Sequence, residues 1–80
     1  PAENGLVSVT IVSTDGTLAD GLSTSLFVMG KDKATDYWKA HSDEFDMILL
    51  TDDEKLYVSE GIKDSFTSDR EVEIIKNRRG

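Results

Sequence analysis

The chain has 80 residues, no cysteine and a formal net charge of −7. That length makes one small domain with a limited core, and the missing cysteine excludes disulfides, zinc–thiolate sites and thiol nucleophiles. The acidic balance argues against a nucleic-acid partner, which would need clustered Lys and Arg to neutralise phosphates; the one basic group, Lys76, Arg78 and Arg79, lies in the tail.

No run approaches the roughly 20 apolar residues of a membrane-spanning helix. The opening PAENGL has neither the basic start nor the apolar centre of a signal peptide. The start at Pro1 fits a removed initiator methionine or a cut in a longer precursor, whose targeting signal would then be missing.

From Leu6 to Ser13 apolar and polar residues alternate, with Val7, Val9 and Ile11 on one side and Ser8 and Thr10 on the other. That period predicts a strand with one buried face. Ser13-Thr-Asp-Gly-Thr17 carries turn chemistry. A helix follows. Thr17-Leu-Ala-Asp20 has the spacing of a capping box, with a short acid in place of the usual Glu. Leu18, Leu22, Leu26 and Met29 form one core-facing stripe, and Gly30 stands where a left-handed C-terminal cap is expected. A second helix is expected from Asp32 to about His41, burying Ala34, Tyr37 and Trp38, and the short link implies a helix–helix corner.

Met47-Ile-Leu-Leu50 is a short apolar run of the kind buried on both faces of a sheet. Asp52-Asp-Glu54 is a polar turn into Leu56-Tyr-Val58, so these two strands should form a hairpin. Gly61 interrupts the polar stretch beyond, and Glu71 to Lys76 alternates again, with Val72 and Ile74 on one side, as a last strand. The order strand–helix–helix–strand–strand–strand predicts a single α+β domain over residues 1–80. Its helices should lie on one face of a largely antiparallel sheet.

Candidate sites are few. Asp20 and Thr24 sit one helical turn apart, each about 160° around the helix from Leu22 at the centre of the stripe. Their Cβ atoms should lie ~5–6 Å apart, within reach of one hard cation such as magnesium, which prefers oxygen ligands. The competing reading gives Asp20 to the helix cap and Thr24 to water. Gly21, between them, costs ~1 kcal/mol against alanine inside a helix. It suits either close approach of a ligand or tight helix packing, and the amides of the helix start could also hold a phosphate. His41 reads as a surface residue near a helix end. Asp52, Asp53 and Glu54 lack the length and glycine of a calcium loop and read as a solvated turn.

The run Val7-Ser-Val-Thr-Ile-Val-Ser13, continued through Ala19-Asp-Gly-Leu-Ser-Thr24 to Leu26-Phe-Val-Met-Gly30, resembles the C-terminal part of the ApbE family. These are the FAD:protein FMN transferases, once described as thiamine biosynthesis lipoproteins. Met47-Ile-Leu-Leu-Thr51, the acidic turn, Leu56-Tyr-Val-Ser59 and Gly61 resemble the family's closing hairpin. The resemblance implies an α+β, T-fold-like architecture. It also implies a magnesium-dependent reaction that splits the pyrophosphate of FAD, passes FMN to a threonine hydroxyl of a target flavoprotein and releases AMP. Asp20 and Thr24 match the family's magnesium ligands; no catalytic base is matched. Members are exported and lipid-anchored, with targets among redox-complex subunits, and some relatives hydrolyse FAD to FMN and AMP instead. Members are several times longer than this chain, their flavin-binding region lies upstream, and the expectation is therefore a C-terminal fragment without activity of its own. The alternatives are a non-catalytic binding or structural module and a magnesium-dependent FAD pyrophosphatase.

Overall fold

The computed structural model of the chain describes residues 5–77. Its first strand, β1 (Leu6–Val12), leads into two helices, α1 (Gly16–Met29) and α2 (Lys31–Ala40). Strands β2 (Asp46–Thr51) and β3 (Leu56–Ser59) follow, then a 3₁₀ segment (Glu60–Ser65) and β4 (Val72–Ile75). The strands form one four-stranded sheet in the order β1-β2-β3-β4. The α+β order, the two helices and the hairpin read from the sequence are all present.

The N-cap of helix α1 lies two residues earlier than expected. Asp15 is the N-cap, accepting a hydrogen bond on Oδ1 from the Leu18 amide at 3.1 Å. The Thr17–Asp20 box does not form, because Thr17 already lies inside the helix. At the other end Gly30 is the cap, as expected, but at φ 89° and ψ 170° it lies outside the left-handed helical region; it donates its N–H to Leu26 O at 3.2 Å. Its own carbonyl accepts from Ala34 N at 2.9 Å and so opens α2. One residue thus ends one helix and begins the next, in a backbone conformation that only glycine adopts without strain.

Both helices pack on one face of the sheet. Leu22 and Leu26 of α1, Ala34 and Trp38 of α2, and Met47 and Leu49 of β2 are buried in one cluster with Leu6, Phe45 and Ile75. Full burial of a side chain such as Leu26 contributes roughly 1.5–3 kcal/mol. The indole of Trp38 donates to Phe45 O at 3.0 Å, which satisfies the polar atom of the largest core residue.

Three details differ from the sequence reading. Val7 is 49% exposed, because a bulge between Leu6 and Ser8 in the pairing with β2 turns Leu6 inward in its place. Strand β2 alternates between buried and half-buried positions and is not enclosed on both faces. The helices cover the face bearing Met47 and Leu49, while Ile48 and Leu50 turn to the other. And β4 pairs parallel to β3, whereas β1–β2 and β2–β3 are antiparallel. A parallel neighbour requires the chain to cross back over the sheet. Residues 60–71 make that crossing, and Leu56 and Val58, which share a face with Ile48 and Leu50, are also buried.

The crossing is anchored by one polar group. Ser59 Oγ, fully buried, donates to Asp46 Oδ1 at 2.7 Å and accepts the Met47 amide at 2.8 Å. The Gly61 backbone rests against the same carboxylate: a Cβ there would lie 2.5 Å from both carboxylate oxygens. Asp46 cannot yield without losing Ser59. The Gly61→Ala variant should therefore be destabilised by about 1–3 kcal/mol in urea unfolding; a midpoint equal to wild type would refute this account of the crossing.

Candidate functional site

Packing of Leu22 and Leu26 onto the sheet leaves the opposite side of α1 in solvent. Thr17, Asp20, Gly21, Thr24 and Ser25 all lie there and all are exposed. Asp20 and Thr24 stand one turn apart on this face, and neither side chain has a hydrogen-bond or ion-pair partner among the described residues. The capping role that competed for Asp20 belongs to Asp15. Ser23 bonds only locally, its hydroxyl donating to Asp20 O at 3.1 Å. The result is a carboxylate and a hydroxyl presented together, with no local structural duty.

Both are hard oxygen donors, and in chemistry they suit magnesium or another hard divalent cation. Two ligands cover a minority of an octahedral shell. Among the described residues no group of three or more His, Asp or Glu side chains could hold a metal. The remaining positions would fall to water, phosphate oxygens or protein groups outside this region.

Gly21 can now be judged. A Cβ at this position would meet nothing within 4 Å, so the glycine does not serve helix packing among the described residues. Its cost of ~1 kcal/mol is uncompensated within the domain.

The other sequence candidates are structural. His41 closes α2: its ring stacks on Tyr37 with centroids 4.2 Å apart, and Nδ1 lies 2.9 Å from Tyr37 O. The acidic turn stabilises the β2–β3 hairpin. Thr51 Oγ1 donates to the Asp53 carboxylate, and this hydrogen bond holds the Asp53 pKa below its ordinary value. Glu54, at φ 65°, pairs with Arg70 at 3.0 Å.

One cluster escaped the sequence reading. Lys31 and Lys55 both approach the Tyr57 ring, at 4.6 and 5.2 Å from its centroid. Lys55 reaches on to Glu73 at 2.9 Å, which holds the Glu73 carboxyl below and the Lys55 ammonium above their ordinary values. These residues lie on different elements, so no local spacing marks them. The cluster ties α2 to the β3–β4 edge.

Comparison with known proteins bears on the α1 face. The ApbE family model matches residues 1–49, which include β1, both helices and the first four residues of β2. The FAD:protein FMN transferase of Haemophilus influenzae is 38% identical over 52 residues, a stretch covering 65% of this chain and 15% of that relative. No solved structure matches the chain.

Because the space over Gly21 is open, Gly21→Ala should stabilise the domain by about 0.5–1 kcal/mol. Thermal or urea unfolding of the variant checks this. A loss of stability would mean that the helix face is packed after all.

Proposed function

The chain belongs to the ApbE family, and we propose that it forms part of a magnesium-dependent FAD:protein FMN transferase, with Asp20 and Thr24 as its share of the metal site. The observation that carries this reading is the pairing of two unpartnered oxygen ligands, one turn apart, on a helix face without packing or capping duty. The name of the H. influenzae relative supports the reaction class.

In the reaction proposed, a threonine hydroxyl of a target flavoprotein forms a new bond to the phosphorus of the FMN half. The pyrophosphate bond breaks, AMP leaves, and the hydroxyl proton passes to a base elsewhere in the enzyme. Magnesium, when bound, offsets pyrophosphate charge and polarises the phosphorus under attack. Asp20 offers an anionic oxygen and Thr24 a neutral one. Helix α1 fixes their separation before any ligand arrives, and its burial on the sheet keeps that helix from turning. Such preorganisation avoids an ordering cost at the moment of binding. Gly21 keeps the surface beside them low, so that a bulky phosphate ligand can approach the helix. The parent protein would be extracytoplasmic and lipid-anchored, a placement resting on the family resemblance.

In the full-length enzyme, Asp20→Ala should abolish magnesium-dependent transfer of FMN, and Thr24→Ala should reduce it by about tenfold or more, while both variants retain the wild-type unfolding midpoint within about 0.5 kcal/mol. Normal turnover by Asp20→Ala would remove Asp20 from the metal site. The 80-residue chain by itself should release no AMP from FAD with magnesium present, since two ligands do not make a complete site. Turnover by the purified chain, followed by chromatography of the nucleotide products, would overturn that expectation.

A further inference from the structure

Residues 60–77 add little to the apolar core. The main buried cluster has nine members, and Ile75 is the only one that this stretch supplies. The 3₁₀ segment buries no residue, and Ile62, Phe66, Val72 and Ile74 are only half-buried. Beyond the four-residue parallel ladder of β4 with β3, the stretch is held mainly by polar contacts. Lys55 pairs with Glu73 at 2.9 Å and Glu71 at 3.5 Å, and Arg70 with Glu54 at 3.0 Å. Their carboxylates are exposed, and such pairs contribute little. The contacts at Asn77 are of another kind. Its side-chain amide donates to Lys39 O at 2.9 Å and to Ser42 Oγ at 2.7 Å. Lys39 lies in the last turn of α2, whose carbonyls have no partner within the helix. The Asn77 N–H donates to Glu60 Oε1 at 2.6 Å, so the two ends of the stretch are also bound to each other.

We propose that residues 60–77 are a strap that opens as one unit while β1, α1, α2, β2 and β3 stay folded, with Asn77 as its latch. The core left behind is nearly complete. Leu22, Leu26, Ala34, Trp38, Met47 and Leu49 all lie outside the strap. Strand β3 keeps its antiparallel ladder with β2 through Ile48–Val58, Leu49–Tyr57 and Leu50–Leu56. Ser59 keeps Asp46 and Met47, since neither partner belongs to the strap, and the hinge therefore follows Ser59 directly. Opening breaks the short parallel ladder, withdraws Ile75 and releases Asn77. That is a small part of what complete unfolding breaks, and segments with few buried apolar contacts open at the lowest free energy. The latch differs from the ion pairs in what it joins. Glu71 and Glu73 hold the strap to the hairpin, whereas Asn77 holds its far end to α2 and to its own beginning. The proposal does not depend on the flavin chemistry.

Native-state amide exchange of the 80-residue chain, under conditions where the rate reports the free energy of opening, tests this. In the wild-type chain the slowest amides of β4 should exchange at least about tenfold faster than the slowest amides of β2. Asp15→Ala removes the α1 cap, which lies outside the strap and is present whether the strap is open or closed. It should quicken β2 exchange about fivefold and leave β4 exchange unchanged. Asn77→Ala should quicken both strands about fivefold, because the side-chain bonds of Asn77 are lost in strap opening and in complete unfolding alike. Equal exchange in β2 and β4 of the wild-type chain, an Asp15→Ala effect shared by both strands, or β4 exchange indifferent to Asn77→Ala would each overturn the proposal.

Discussion

The burial of Leu22 and Leu26 against the sheet fixes the rotation of α1 about its own axis, and the rest of the surface follows from that setting. A helix repeats every 3.6 residues, so anchoring two positions a turn apart determines which residues face away. Asp20, Gly21 and Thr24 are the residues that result. Their exposure is thus a consequence of core packing. A different choice of stripe would have turned the same carboxylate and hydroxyl toward β1, where an unpaired carboxylate would be costly to bury.

That setting needs both ends of α1 to be well defined. Asp15 supplies the start through its bond to the Leu18 amide, and Gly30 supplies the end. Because Gly30 also opens α2, the two helices meet with no spare chain between them, and Trp38 falls over the Met47–Leu49 face of β2. Asp46 and Ser59 do for the 60–71 crossing what Gly30 does for the helices. A buried hydroxyl and a half-buried carboxylate satisfy each other and hold the backbone of Gly61 close. A side chain at position 61 would press on that carboxylate, so the polar pair restricts the path of the crossing.

The sequence was most legible where one local signal was sufficient. The helical stripe, Gly30 and the β2–β3 hairpin each follow from spacing or turn chemistry within a short window, and all three are present. The misreadings arise where a distant partner decides. Val7 alternates correctly with Val9 and Ile11, yet the bulge against β2 exchanges it for Leu6. The run Met47–Leu50 is apolar enough for enclosure on both faces, but the helices bury Met47 and Leu49 and leave Ile48 and Leu50 half-buried. Asp15, which lies in the Ser13–Thr17 turn, takes the capping role from Asp20. The Asp20–Thr24 pair was legible because two positions four apart on a helix must share a face. The pairing of Lys55 with Glu73 was not, since their strands are brought together only by the parallel crossover.

The same distinction between local and distant partners explains the division of the surface. At the β4 edge, charges from three places in the sequence, Lys55, Glu71 and Glu73, are gathered by the fold into one ion-paired group. Such exposed pairs contribute little to stability, so their value lies in what they exclude: an incoming strand would have to strip solvent from several charges at once. Strand β1 bears no group of that kind, and α1, packed directly against it, carries the Asp20 and Thr24 oxygens on its far side. The two ligand-bearing positions stand on a helix that packs on β1, at the other end of the strand order from the charged β4.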